Sequence, residues 1–368
     1  MTSEDVRLKI VYVTLQGLEE GQGAATHVRA TVTGLNHTDD VTLCAPRATE
    51  APSAHRRLLR MARVQWVALQ ESRRSDVVYM RHHPLLLVLA MLLRISGTPA
   101  VQELNGPIED YGTIYPVLRP LFGILRHMTV RSLLAADAVV VVSDRLKQYL
   151  IDLGVPPDHI EVVHNGADLD RFQPSRDKPG SYAVFLGALT PWQGLQTLTG
   201  ATRHPAWPKG VPLVVVGVGP TEGVLDAGDP QVIQRRGVVS HAHVADLLSG
   251  ALVSLSPKTA AATWSSPLKL YESVACGVPV IATEIGEQAD FIRQWGCGLV
   301  VAENDPQALA TAVATVADNA DLREELAVAA KAARDHVSWD QRVKQLRSLL
   351  YSVSARKPNG QGVTAWSG

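Results

Sequence analysis

Between Ser265 and Thr283 the chain carries residues whose types and spacing suit an anion next to a set of hydroxyls. Ser266 is a good N-cap, and Pro267 suits the first helical position, where a missing N–H is no loss. The N–H groups of Leu268 and Lys269 would then point out of the helix start. That end carries partial positive charge and can hold a diphosphate. Lys269 adds a full charge, and Glu272, one turn on, can accept hydrogen bonds from ribose hydroxyls. Gly277 ends the helix, and Val278-Pro279-Val280-Ile281 enters a strand. The plainer reading of the same spacing is an ordinary capped helix with a surface Lys and Glu. The residues alone leave both readings open.

A second group of chemistry-bearing residues lies in the first half. Gly21-Gln22-Gly23-Ala24-Ala25-Thr26-His27 follows the first strand-like run and opens a helix. Gly21 and Gly23 let a backbone approach a ligand closely, and the helix start favours an anion. The glycine pattern is not a full dinucleotide fingerprint. Val41-Thr42-Leu43-Cys44 also ends in a thiol rather than an acid, which speaks against a nicotinamide site. His27 reads as structural. Arg81-His82-His83 and Glu103-Leu104-Asn105-Gly106-Pro107 each follow a strand-like run. Glu103 and Asn105 are candidate catalytic residues, with Lys269 as a third. His82, Glu109 and Asp110 are candidate acceptor contacts or bases. For each of these the plain alternative is a salt bridge or a satisfied polar contact.

The elements that must position these groups alternate. Strand-like runs fall at Leu8–Val13, Val41–Cys44, Val77–Met80, Ala100–Leu104 and Ala138–Val142. The pattern restarts with Tyr182–Leu186, Leu213–Val216, Val253–Ser256, Val280–Ile281 and Leu299–Val301. Helical stretches separate many of them, so the class is α/β, with two doubly wound parallel sheets. We expect a first domain over 1–166, a linker over 167–180 and a second domain over 181–337. A helix over about 338–354 returns to the first domain, and a Gly- and Ser-rich flexible tail follows over 355–368. Ligands in such folds sit beyond the carboxyl ends of the strands, so two domains facing across a cleft suit one substrate on each.

With 368 residues, 46% of them hydrophobic, the chain can bury two cores. A formal net charge of −1 gives no drive toward nucleic acid. Three cysteines, Cys44, Cys276 and Cys297, suggest buried thiols rather than a disulfide framework, and no spacing resembles a zinc site. The start is acidic and polar, unlike a secretory signal. Leu85 to Leu93 is too short to span a bilayer and reads as a buried helix. The expected location is therefore cytoplasmic. Residues 55–69 form an amphipathic helix, with Arg56, Arg57, Arg60 and Arg63 on one face and Leu58, Leu59, Ala62, Trp66 and Leu69 on the other. Such a helix packs its apolar face on the core, or lies peripherally on the inner face of a membrane.

The Ser265–Thr283 stretch resembles the C-terminal signature of family 4 of the GT-B glycosyltransferases, written E-x7-E followed by A-x-G-x-P-V-I-A. Glu272 matches the second Glu, which the resemblance makes the ribose ligand. Trp264 occupies the place of the first, which in the family contacts the transferred sugar. The likeness runs along nearly the whole chain. It includes Val142-Ser143 with Leu146-Lys147 and Tyr149-Leu150, then Val163-His164-Asn165-Gly166-Ala167-Asp168 with Phe172 and Pro174. It continues through Phe185-Leu186-Gly187 with Gly194-Leu195, Val214 to Gly219-Pro220, and Ser338-Trp339. Ala188 and Gln193 stand where the family has an Arg and a Lys that clamp phosphate. Lys269 and Lys258 are candidate replacements, although Lys258, after Ser256-Pro257, reads first as a solvated loop lysine. Asn105 stands where many members have a His.

The resemblance implies a retaining glycosyltransferase that moves a sugar from a nucleoside diphosphate sugar to a hydroxyl acceptor, lipid-linked, polysaccharide or natural-product. A uridine diphosphate donor is the first choice and a guanosine diphosphate donor the alternative. It implies donor contacts at Gly21, Gly23, Gly187, Gln193, Gly219, Ser266, Leu268, Lys269 and Glu272, with no metal and no cofactor. Asp168-Leu169-Asp170 has a metal-binding form but falls in the linker motif. Two alternatives stay open: a degenerate partner subunit of another glycosyltransferase, and a GT-B-shaped nucleotide-sugar epimerase.

Overall fold

The computed structural model describes residues 6–18, 23–46, 54–109, 116–174, 180–264 and 266–356. Contacts divide the chain into two compact units, one of Met1–Val163 with Val343–Gly368 and the other of His164–Arg342.

In the first unit the order is β1 (Lys9–Val13), α1 (Gly23–Asn36), β2 (Asp40–Cys44), α2 (Ala54–Glu71), β3 (Val77–Arg81), α3 (Leu87–Ser96), β4 (Ala100–Leu104), α4 (Phe122–Ala135), β5 (Ala138–Val141), α5 (Asp144–Asp152) and β6 (Ile160–Val162). The second has β7 (Ala183–Leu186), α6 (Leu195–Arg203), β8 (Leu213–Val216), β9 (Ile233–Gly237), α7 (His241–Ser249), β10 (Val253–Ser256), α8 (Leu268–Ala275), β11 (Val280–Thr283), α9 (Gly286–Trp295), β12 (Gly298–Val301), α10 (Pro306–Asp318) and α11 (Ala320–Ala333). The helix α12 (Trp339–Ala355) starts in the second unit and joins the core of the first from Val343 onward.

Each unit is built on a parallel sheet of six described strands, ordered β2-β1-β3-β4-β5-β6 and β12-β11-β10-β7-β8-β9. Helices cover both faces, which is why the inner strands are apolar in nearly every position rather than alternating. Along β1, Ile10 and Tyr12 enter one core, with Val28, Leu346 and Leu350. Val11 and Val13 enter the other, with Val64, Ala68 and Leu89. This is the period-2 alternation of a strand buried on both sides.

The strand orders fix where ligands can approach. The chain reverses its winding direction between β1 and β3 in the first sheet and between β7 and β10 in the second. Neighbouring crossover helices diverge there, and the carboxyl ends of the strands open a crevice. The residues just past those ends are Leu15 and Gln16 with His82 and His83 in the first unit, and Gly187 and Ala188 with Pro257 and Lys258 in the second.

Residues 167–174 belong to the second unit. Ala167 bridges to Ser338, and Phe172 is in a core cluster. The expected buried helix at Leu85–Leu93 is α3, and it is buried only on one side. Leu89, Ala90 and Leu93 face the core, whereas Val88, Met91, Leu92 and Ile95 are exposed. The expectation that α2 packs its Leu58, Leu59 and Trp66 face on the core is also corrected. Val64 and Ala68, with Met61 and Leu69, do the packing, so Leu69 of the expected face is on the core while Leu59 and Trp66 are 67% and 63% exposed. Period alone shows that a helix has an apolar stripe, not which neighbour covers it.

Candidate functional site

The second-unit site grows from β7. Gly187 follows the strand with φ 125°, a left-handed value, and a Cβ there would lie 2.9 Å from Lys269 Nζ. The backbone angle favours glycine, and a side chain there would also push the ammonium aside. Lys269 Nζ donates to Gln193 Oε1 at 2.7 Å and sits 4.3 Å from the Phe185 ring centroid, a cation–π distance. Gly219, past β8, packs on the Leu189 backbone, where a Cβ would sit 2.3 Å from the carbonyl oxygen. Four of the expected donor residues, Gly187, Gln193, Gly219 and Lys269, thus belong to one packed set of loops.

Lys258 corrects the sequence reading. It is 5% exposed, not a solvated loop lysine. Its carbonyl accepts from the Thr283 hydroxyl at 2.5 Å. The next amide, of Thr259, donates to Trp192 O at 3.0 Å, which ties the loop to the turn that presents Gln193. Burial lowers the Lys258 pKa from 10.5 to about 8, against an opposing pull from Glu287. Lys269 is lowered well below its usual value, first by desolvation and then by Lys258, while Glu272 pulls it back up. Two ammonium groups therefore share one desolvated region, and that arrangement favours a multiply charged anion between them. The half-buried Glu272 is raised from 4.5 to about 7 by desolvation, against the pull of Lys269 and Arg171.

The helix start differs from expectation. Pro267, with φ −87° and ψ 65°, is the N-cap of α8, and no side chain caps it. The Leu268 amide donates to Ser266 O at 3.1 Å, so it is not a spare donor. Proline at the cap holds the chain in a turn that the serine side chain would otherwise have to make.

Past α8 lies a group that the sequence did not single out. Glu287, in the first turn of α9, accepts from the Tyr271 hydroxyl. The same oxygen, Oε1, pairs with His164 Nδ1 at 2.8 Å. Tyr271 and His164 were visible only as motif letters, and no local signal links positions 123 residues apart.

In the first unit Glu103 is corrected as a proton-exchanging base. It is fully buried, at 0% exposure. Oε2 accepts from the Tyr79 hydroxyl at 2.5 Å, and His27 Nε2 lies 2.9 Å from Oε1. Arg81 Nη1, which can only donate, reaches His27 Nδ1 at 2.9 Å. The imidazole therefore accepts at Nδ1 and carries its hydrogen on Nε2, at ion-pair distance from Glu103. Arg81 also donates from Nε to Gln16 Oε1 at 2.9 Å. This chain of bonds ties β1, α1, β3 and β4 together, with His27 as its middle link.

His82 is corrected as an acceptor contact. It is buried, donating from Nδ1 to Gln102 Oε1 at 2.9 Å and accepting at Nε2 from the Thr129 hydroxyl at 3.2 Å. Desolvation lowers its pKa to about 4, so the ring stays neutral. Asn105 is half-buried, and its Nδ2 is enclosed without a hydrogen-bond partner among the described residues. Glu109 is exposed and accepts from the Tyr149 hydroxyl at 2.7 Å. Gly23 opens α1, while Gly21 and Asp110 lie outside the described residues. The three cysteines are buried free thiols. Among the described residues no group of three or more His, Cys, Asp or Glu is placed to hold a metal ion.

Comparison with known proteins matches this architecture half by half. Residues 21–171 fit the model of Glycosyltransferase Family 4, and residues 180–319 fit that of Glycosyl transferases group 1. A D-inositol 3-phosphate glycosyltransferase of Streptomyces scabiei is 26% identical over 263 residues, 64% of this chain and 57% of that protein. One from Catenulispora acidiphila is 24% identical over 311 residues, 76% of this chain and 72% of that protein. The chain spans little more than half the length of the first curated relative. Among solved structures, sucrose-phosphate synthase from Thermosynechococcus elongatus superposes with TM-score 0.78 at 17% identity, covering 95% of this chain and 100% of that one. Anabaena HepE in complex with UDP gives TM-score 0.73 at 18% identity, covering 94% and 100%. The structural likenesses show the fold, and the two sequence models account for more than three quarters of the chain. With a glycosyltransferase model matched to each half and a parallel sheet in each unit, the chain belongs to the GT-B glycosyltransferases of the family 4 type.

Proposed function

We propose that the chain transfers a sugar from a nucleoside diphosphate sugar to a hydroxyl acceptor, with retention at the anomeric carbon. The observation that carries this is the pair Lys258 and Lys269 at the carboxyl ends of β10 and β7, with Gly187 and Gln193 packed around the Lys269 ammonium. Charge that develops on a leaving diphosphate is met by these fixed lysines, so the reaction runs without a metal or cofactor. Glu272, one turn beyond Lys269, accepts from the ribose hydroxyls. Gly219 lies along the donor, together with Ser266 and Leu268 at the start of α8.

Asn105 supplies its spare Nδ2–H to the sugar or to the acceptor. Glu103 acts as a positioning residue, because both of its oxygens are already engaged. In retention by same-face attack, the acceptor hydroxyl bonds to the anomeric carbon as the bond to the phosphate oxygen breaks. The departing phosphate oxygen takes the acceptor proton. An Anabaena neighbour solved with UDP-glucose supports testing uridine donors first and guanosine donors second.

Donor affinity tests the assignment. Lys269→Ala removes a charged hydrogen-bond donor worth about 1.5–3 kcal/mol, roughly a 10- to 150-fold loss. Glu272→Ala is expected to cost about tenfold. Unchanged affinity in both variants, read by calorimetry, removes the site from α8.

The apolar surface of α2 and α3 favours a membrane-bound acceptor. Leu58, Leu59, Trp66, Val88, Met91, Leu92 and Ile95 are exposed on these two packed helices, beside Arg56, Arg57 and Arg63. No described helix is long and apolar enough to cross a membrane. The proposal is peripheral binding to anionic lipid at the inner face, with the bulk of the protein in the cytoplasm.

A further inference from the structure

Glu287 has no part in the donor reading above, yet it is built as a ligand. Its side chain is 11% exposed. Oε1 is engaged by the Tyr271 hydroxyl and by His164. Oε2 is enclosed and has no hydrogen-bond partner among the described residues. An enclosed carboxylate oxygen without a donor is costly, and folds keep one where something else supplies the donor. Lys258 is near enough for Glu287 to counter the lowering of its pKa.

The backbone fixes where this residue stands. Gly286 adopts φ 58°, and a Cβ there would lie 2.4 Å from Thr263 O. The start of α9 is thereby pressed against the segment that leads to Trp264 and the Lys269 helix. Trp264 offers only an indole N–H, a donor and never an acceptor. Glu287 follows Gly286 directly and so starts from this contact. Asn165, next to His164 in the chain and 7% exposed, also leaves its Oδ1 without a partner among the described residues. A spare carboxylate oxygen close to Lys258 suits a ligand with an anionic part and hydroxyl donors. A sugar joined to a diphosphate has both.

We propose that Glu287 reads the transferred sugar, its Oε2 accepting a hydrogen bond from a ring hydroxyl, and that the carboxyl turns toward its exposed side to do so. This rests on the donor-site reading. The contact belongs to the sugar alone, so it discriminates a nucleotide sugar from the bare nucleotide.

The test is calorimetry of the full chain with UDP and UDP-glucose, and with GDP and GDP-mannose. Glu287→Gln keeps an acceptor for Tyr271 and His164 but turns the spare oxygen into a donor. The expected result is at least a tenfold loss for the nucleotide sugar that the wild type prefers, with nucleotide affinity unchanged within twofold. Tyr271→Phe, which removes only the strut, should leave the ratio of the two affinities at its wild-type value. Equal losses for nucleotide and nucleotide sugar in Glu287→Gln, or no loss in either, overturn the proposal. A wild type that binds none of the four ligands overturns the donor reading and this inference with it. Should Glu287→Gln unfold, Glu287→Asp, which withdraws the carboxylate by one methylene, is read by the same ratio.

Discussion

Lys258 and Lys269 give the second unit a pH dependence with a definite sign. Burial brings Lys258 down to about 8, so its charge in the empty site is lost as pH rises through that value. A bound diphosphate favours the charged form and raises the pKa again. Diphosphate affinity should therefore fall as pH climbs above about 8, and binding near that pH should take up protons. Calorimetry in buffers of different ionisation enthalpy reads the uptake, and proton release there contradicts the assignment. Stability runs by the same linkage. A lowered lysine contributes stability that is present above its ordinary 10.5 and lost as pH falls toward 8. The raised Glu272 contributes stability that is present below 4.5 and lost as pH rises to about 7. Near pH 7 both sit in their less favourable state. Lys258→Met should accordingly raise the melting temperature at pH 7 while weakening UDP binding, a gain of roughly 1–3 kcal/mol. The sequence placed Lys269 and Glu272 correctly on one helix, because a three-residue spacing is local. It missed the burial of Lys258, because the groups that hold its loop, Trp192 in the turn after β7 and Thr283 at the end of β11, are distant in sequence.

Among the elements, α2 and α3 carry the clearest prediction. Both turn aliphatic and aromatic side chains to solvent, with Ile95 as much as 81% exposed. Leu59→Glu with Trp66→Glu should leave the melting temperature nearly unchanged, since exposed substitutions usually stay within about 0.5 kcal/mol. The same variant should lose flotation with anionic vesicles. Flotation that survives both changes, or that never occurs in the wild type, ends the membrane reading. Strands were the most legible elements. Leu213–Val216 stands where its Val run puts it, because a strand buried on both faces is apolar in most positions. The strands β6 and β9 were not anticipated. One is a three-residue Ile-Glu-Val behind two prolines, and the other is an edge strand with Arg235 and Arg236 in solvent. The cap of α8 was misjudged for a different reason. Ser266 and Pro267 are both acceptable starts by type, and the ψ of 65° at Pro267 decides between them.

At the scale of the whole molecule, the open question is whether the chain turns over its donor alone. Gln193, Ala188, Trp264 and Asn105 replace charged or basic family residues, and the structure answers some of these losses from elsewhere in the chain. Gln193 is bonded to Lys269, and the start of α9, which carries Glu287, packs on Thr263 beside Trp264. Purified chain with the donor that it binds should transfer sugar to an added acceptor. The anomeric configuration of the product, read by proton NMR, should match that of the donor. No turnover without a second protein favours a partner subunit, and sugar isomerisation without an acceptor favours an epimerase. The two-domain α/β class was legible because its alternation repeats. The identity of the acceptor was not, because a surface that recognises it has no fixed spacing in the chain.

The helix α12 makes the first unit discontinuous, and that bears on the order in which a ribosome delivers the parts. Val343, Leu346, Leu350 and Val353 complete a core with Leu8, Ile10 and Tyr12 from the beginning of the chain. The second unit is encoded without interruption from His164 to Arg342. As the nascent chain emerges, the later-encoded unit has all its residues while the earlier one still waits for its last wall. Until then that wall is a strip of bare aliphatic surface, and the unit made first is the one finished last.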